Sequence, residues 1–213
     1  MRNELQKRVF SSIILIPLSI FFIIKGSIIF IFFLSFFFLV SSFEWIKICK
    51  KNEIIKFFGI LFLFISFCSA FYMREKIGLN FFLFVILICI STDIGGYVFG
   101  KILKGPKLTK ISPNKTYSGV VGSFIFSILA GIVFLQYLRN QIPIDDNMIL
   151  ILSLILSISF ISQIGDLIVS YFKRKAKIKN TGKILPGHGG LLDRIDGLIF
   201  VIPIINLLYV IYI

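Results

Sequence analysis

Four carboxylates stand where a carboxylate is costly. Asp93 lies in Ser91-Thr92-Asp93-Ile94-Gly95-Gly96-Tyr97, and Asp166 lies in Ser162-Gln163-Ile164-Gly165-Asp166, each within a long apolar run. A carboxylate inside a membrane is expensive unless it is paired, hydrated or bound to a cation, so both are functional candidates by default. The simpler alternative for each is an ion pair with a Lys or Arg from a nearby loop. Asp193 and Asp196 follow at i, i+3, which places both on one face if that segment is helical. Folding residues 173–196 back toward Asp166 would gather three carboxylates among basic side chains. Such clusters bind hard divalent cations, and Mg²⁺ takes one or two carboxylates together with waters and substrate phosphates. Six acidic residues remain. Glu4, Glu44, Glu53 and Glu75 sit at helix ends among basic neighbours, and Asp145 and Asp146 lie on a short connection. Solvation is the expected explanation for all six.

Seven apolar runs must position these groups: residues 9–24, 27–43, 57–73, 79–99, 117–138, 148–172 and 198–213. The chain has 213 residues, 57% of them hydrophobic, with 26 Phe and a mean hydropathy of +0.98. A soluble domain is less apolar and carries more than the 15% charged residues found here. A spanning helix needs about 20 apolar residues, so the first and last runs are slightly short and rely on tilt or snorkelling flanks. The runs do not alternate apolar and polar residues, which excludes a β-barrel. The first run follows Arg2, Lys7 and Arg8 in the manner of a secretory signal. No small-x-small cleavage site follows it, so it reads as an uncleaved helix. Cys49, Cys68 and Cys89 match no metal or disulfide spacing. The expectation is an all-α, polytopic protein of about seven spanning helices, with residues 1–213 forming one membrane domain.

Charge orients that bundle. The N-terminus and the connections after the second, fourth and sixth runs hold 3, 4, 5 and 7 basic residues, 19 together. The other connections hold only Lys25, Arg74, Lys76 and Arg139, which completes the 23. The positive-inside rule then places the N-terminus and the four basic connections in the cytoplasm. The same asymmetry accounts for the net charge of +13 without nucleic acid. The connection over residues 47–56 carries this topology signal and no other chemistry. No internal repeat is convincing, although the Gly-rich ends of the fourth and sixth runs suggest a shared site.

The basic connection after the sixth run is more specific. It contains Ser170-Tyr171-Phe172-Lys173-Arg174, then Lys179-Asn180, then Leu185-Pro186-Gly187-His188-Gly189-Gly190-Leu191-Leu192-Asp193-Arg194-Ile195-Asp196. This closely resembles the signature of the phosphatidate cytidylyltransferases, or CDP-diacylglycerol synthases: S-x-x-K-R, four residues, K-D, then L-P-G-H-G-G-x-x-D-R-x-D. The spacing is reproduced without a gap. Upstream, Ser162–Asp166 resembles the family's S-Q-x-G-D segment. Asp93-Ile94-Gly95-Gly96-Tyr97 with Gly100-Lys101 resembles D-x-G-A-Y…G-[RK], and Ser112-Pro113-Asn114-Lys115-Thr116 resembles S-P-x-K-T. The family-like catalytic region therefore covers about residues 91–197. Two departures stand out: Asn180 replaces the usual Asp, and Ser118 replaces the usual Glu.

The resemblance implies transfer of CMP from CTP to phosphatidate, giving CDP-diacylglycerol and pyrophosphate. The nucleophile is a phosphate oxygen with a second pKa of about 6, so no general base is required. What the reaction needs is positioning of anionic phosphates and neutralisation of their charge. On this reading Asp166, Asp193 and Asp196 hold Mg²⁺, directly or through water, with a second cation left open. Lys173, Arg174 and Arg194 clamp phosphates, and His188 contacts phosphate or stabilises the leaving group. Asp93, Ser112, Lys115, Thr116, Lys179, Asn180, Gly187, Gly189 and Gly190 complete the substrate pocket, the glycines allowing close backbone approach. The setting would be the cell (inner) membrane with the active site on its cytoplasmic side, among membrane lipids; a homodimer is left open. Two other chemistries compete. A CTP-dependent lipid-alcohol kinase would need a general base, and a transporter would use Asp93 and Asp166 for ion coupling.

Overall fold

A computed structural model describes residues 2–50, 52–109, 111–138, 147–182, 184 and 189–212, with side chains from Ile13 to Ile211. Regular structure in these residues is helical. The helices are α1 (Arg2–Lys25), α2 (Ser27–Ile48), α3 (Glu53–Tyr72), α4 (Leu79–Ile102), α5 (Tyr117–Leu138), α6 (Met148–Lys175), the single turn α7 (Leu192–Ile195) and α8 (Leu198–Tyr212). A π-helical turn, Met73–Ile77, continues α3. The apolar runs thus become helices, because length and hydropathy are local properties. Five of them are long and apolar enough to cross a membrane: α2, α3 with its π turn, α4, α5 and α6. The shorter apolar stretches are Ile13–Lys25 and Leu198–Ile211, the two runs expected to be short. Large apolar side chains such as Phe32, 70% exposed, cover the outer faces of these helices. Water would not tolerate that much apolar surface, whereas lipid solvates it. The protein is an integral membrane protein.

The helices form two compact units, Met1–Leu79 with Phe172–Ile195, and Asn80–Tyr171 with Asp196–Ile213. In the first unit, Gly26 takes φ 65° between α1 and α2. Arg74 closes that turn by donating to the carbonyls of Ile23 (2.9 Å) and Ile24 (2.7 Å). Glu75 accepts from Arg74 and from the Ser27 N–H, both at 2.6 Å. The α1–α2 turn and the α3–α4 connection therefore share one end of this unit. At the other end, Asn52 caps α3 by accepting from Ile55 N–H (3.0 Å). Trp45 donates to the Ile55 carbonyl (3.3 Å) and meets the Phe172 ring edge-on at 5.0 Å. The α2–α3 connection and the end of α6 are thereby held together.

The second unit is built on close backbone approach. A Cβ at Gly95 would lie 2.3 Å from the Gly122 carbonyl oxygen, and one at Gly119 2.9 Å from that of Gly96. Small residues let α4 and α5 approach this closely, as membrane helices do when packing and not hydrophobicity drives association. Hydroxyls stitch the same region. Ser123 donates to the Thr92 carbonyl (2.8 Å), and Thr92 reaches Ser159 of α6 (3.0 Å). The Gly-rich end of α4 thus has a packing role. Gly165 of α6 does likewise, lying against Phe200 and the Asp196 carbonyl.

Candidate functional site

The signature loop begins where α6 stops. Lys177 takes φ 57°, Ile178 N–H returns to the Lys173 carbonyl (3.0 Å), and Lys177 N–H returns to that of Arg174 (2.9 Å). This is a Schellman ending with a lysine in the position glycine usually holds. It turns the chain back so that Thr181 meets the segment around α7. There Asp193 acts as a hub. Its Oδ1 accepts from Lys173 Nζ at 2.8 Å, and its Oδ2 accepts from the N–H groups of Thr181 (2.8 Å) and Gly190 (3.0 Å). Both side chains of the ion pair are about nine-tenths buried. Removing one partner of such a pair typically costs about 3–5 kcal/mol, because the other charge is left buried and uncompensated.

A second carboxylate holds the same loop, and it was not expected. Glu44, 1% exposed, accepts from Thr181 Oγ1 (2.7 Å), Leu191 N–H (3.0 Å) and Leu192 N–H (2.8 Å). The expectation of a solvated Glu44 is therefore wrong. The reason is that α2 runs on to Ile48, so Glu44 is inside a helix and not at its end. The available signal was the apolar Trp45, Ile46 and Ile48 that follow it. Glu75 is also less solvated than expected, through its bond to Arg74, whereas Glu53 is 81% exposed and pairs with Lys56. The loop tolerates no bulk near Glu44. A Cβ at Gly190 would lie 1.9 Å from Thr181 Oγ1 and 2.5 Å from Glu44 Oε2. Gly189, at φ 90°, sits against Asp193 and Asn180. Asn180, where the family pattern has Asp, is exposed, as are Arg174, Lys179 and Arg194. Three of these four are cations, so the described part of the loop presents positive charge outward, while its own Asp193 and Glu44 of α2 lie largely buried beneath it. Gly187 and His188 lie outside the described residues.

The second unit holds the other carboxylates. Lys115 Nζ pairs with Asp166 Oδ2 at 2.7 Å and reaches the Gln163 carbonyl at 3.4 Å, while Ser170 donates to Asp166 Oδ1 at 3.1 Å. The structure thus joins the Ser112–Thr116 segment to the S-Q-x-G-D segment by pairing the lysine of the first with the aspartate of the second. Asp196 Oδ1 accepts from Gly197 N–H (3.0 Å), and its backbone rests on Gly165, the residue before Asp166. Asp93 is exposed on α4. Thr116 starts α5 by accepting from Gly119 N–H (3.1 Å), and Ser118 bonds Thr116 and the Lys104 carbonyl. Ser118 therefore has a structural use in place of a carboxylate. Ser112 closes the loop by accepting from Lys115 N–H (3.0 Å). Among the described residues, no group of three or more His, Cys, Asp or Glu side chains is gathered tightly enough to hold a metal alone.

Comparison with known proteins gives a consistent picture. Residues 51–212 match the model of the cytidylyltransferase family. The phosphatidate cytidylyltransferase of Staphylococcus haemolyticus is 40% identical over 141 residues, covering 66% of this chain and 53% of that protein. The protein of the same name from Staphylococcus saprophyticus is 41% identical over 155 residues, covering 71% and 57%. That from Staphylococcus aureus is 38% identical over 157 residues, covering 73% and 56%. The chain spans about half the length of these curated relatives.

Proposed function

The chain belongs to the cytidylyltransferase family, and on that premise we propose that it transfers CMP from CTP to phosphatidate, yielding CDP-diacylglycerol and pyrophosphate. A phosphate oxygen of phosphatidate bonds to the α-phosphorus of CTP. The bond from that phosphorus to the bridging oxygen breaks, and its electron pair leaves with pyrophosphate. The observation that carries the reading is the clamped signature loop, in which Lys173, Thr181 and Gly190 all converge on Asp193. Arg174 and Arg194 offer guanidinium forks to phosphate oxygens. Lys173 acts through Asp193 as a positioning residue, and Lys115 does the same at Asp166. Rigid donors aimed at developing charge supply much of the catalysis in such transfers.

Magnesium belongs to the same proposal. Asp166, Asp193 and Asp196 are assigned as its ligands from their places in the signature. The donor chemistry fits. These are hard carboxylate oxygens, and two of the three already stabilise a cation, the ammonium groups of Lys115 and Lys173. No three-carboxylate group is required, because Mg²⁺ draws further ligands from water and substrate phosphates. When bound, the ion neutralises phosphate charge and favours in-line displacement.

The proposal extends to seven spans, a cytoplasmic N-terminus, and an active site on the cytoplasmic face of the cell membrane, where a lipid headgroup and soluble CTP can meet. Within the first unit, α1–α2 shares an end with α3–α4, and α2–α3 shares one with the end of α6. That pairing supports the alternation that the basic residues require. The kinase alternative is separated by its product. The full chain, in detergent with phosphatidate, CTP and Mg²⁺, is expected to release pyrophosphate only when phosphatidate is present. Chelation should abolish release, and Mg²⁺ should restore it. Release of CDP in place of pyrophosphate would overturn the assignment.

A further inference from the structure

Beside the α2–α3 connection lies a cavity of about 530 Å³, bounded also by the end of α6. Lys47, Lys50, Lys175 and Lys177 line it, and none of its described lining residues is acidic. Two helix C-termini, those of α2 and α6, end here and contribute about half a negative charge each. Four ammonium groups exceed that by about three charges, so dipole complementation alone does not explain them. The nearby carboxylates are committed elsewhere, Glu53 to Lys56 and Glu44 to the signature loop. Lys47 is held at 4.0 Å over the Phe43 ring. Burial pushes the Cys49 thiol up, while the nearby Lys175 and Lys56 ammonium groups pull it down.

The cavity is not uniformly polar. Ile48, Ile55 and Phe172 form part of its wall. Ile54, Phe57 and Phe58, on the first turns of α3, are all more than three-fifths exposed. Lysines at the end of an apolar helix pair, next to a lipid-facing apolar surface, fit a ligand with a phosphate at one end and acyl chains at the other. Basic pockets of this kind between membrane helices bind anionic headgroups. We propose that this cavity binds the phosphate headgroup of an anionic membrane phospholipid, through lysines that the proposed transfer chemistry does not use. The inference is independent of that chemistry, since it concerns binding without CTP.

Native mass spectrometry of the full chain tests it, with phosphatidylglycerol and phosphatidylcholine of identical acyl chains as probes. The wild-type protein should retain phosphatidylglycerol preferentially. At roughly fivefold per lysine, the variant Lys47→Gln/Lys50→Gln/Lys177→Gln should lose on the order of a hundredfold in affinity. The charge-conserving Lys47→Arg/Lys50→Arg/Lys177→Arg should keep binding, which separates lost charge from misfolding. Equal retention of the two lipids, or equal binding by the Gln variant, would overturn the proposal. Displacement of the lipid by millimolar inorganic phosphate would overturn it too, in favour of a soluble phosphate ligand.

Discussion

Asp193→Asn should lower turnover by about 10²–10³-fold, the usual cost of removing one preorganised electrostatic group from a reacting centre, with the protein still inserted and monodisperse in detergent. The substitution is nearly isosteric. Its remaining carbonyl can still accept from Thr181 or Gly190 N–H, but the charge facing Lys173 is gone. That leaves a buried ammonium without its counter-ion, which also lowers stability. The two effects are separable. A structural defect lowers the Tm and the active fraction while leaving the KM of the survivors unchanged. Loss of a metal ligand lowers kcat and raises the Mg²⁺ concentration needed for half-maximal rate. The measurement is steady-state kinetics across a Mg²⁺ titration, alongside thermal unfolding. Near-normal kcat with an unchanged Mg²⁺ requirement would remove Asp193 from the metal assignment.

Glu44→Ala should strongly destabilise the first unit. It strands three buried donors, Thr181 Oγ1 and the N–H groups of Leu191 and Leu192. Each unsatisfied buried donor costs about 1–3 kcal/mol, so the loop loses several kcal/mol of local stability. Glu44→Gln keeps one acceptor oxygen but turns an NH₂ group toward the donors, and should fall between wild type and Ala. Hydrogen exchange across Thr181 and residues 189–192 reads this directly. The expected order of protection is wild type, then Gln, then Ala. If Glu44→Ala leaves protection there unchanged, Glu44 does not hold the loop. Because Glu44 precedes the family-matched region, this would be a determinant of the signature loop supplied from outside that region.

The contrast between Asp193 and Glu44 shows what a sequence exposes. Asp193 was legible because its neighbours at fixed spacing, from Ser170 to Asp196, carry its meaning along the chain. The apolar helices were legible for a similar reason, since hydropathy over about 20 residues is local. Glu44 binds partners 137 to 148 residues away. Nothing in a local window records a contact of that kind, and Lys47 and Lys50 nearby made solvation the natural reading. The glycines of α4 illustrate a second limit. Their density beside Asp93 suggested a site shared with α6, and gave no sign that Gly95 and Gly96 also pack closely against α5. The lysine cavity was hidden for the same reason as Glu44. Residues 47–50 and 175–177 read as topology signals until the fold brings them together.

The most direct test of the central claim is an assay on the full chain with phosphatidate, Mg²⁺ and CTP labelled separately at the α and γ positions. The α label should enter the lipid fraction and the γ label should leave as pyrophosphate, in equal amounts. Entry of the γ label into lipid, with the α label remaining in CDP, would contradict the account and make the protein a CTP-dependent lipid kinase.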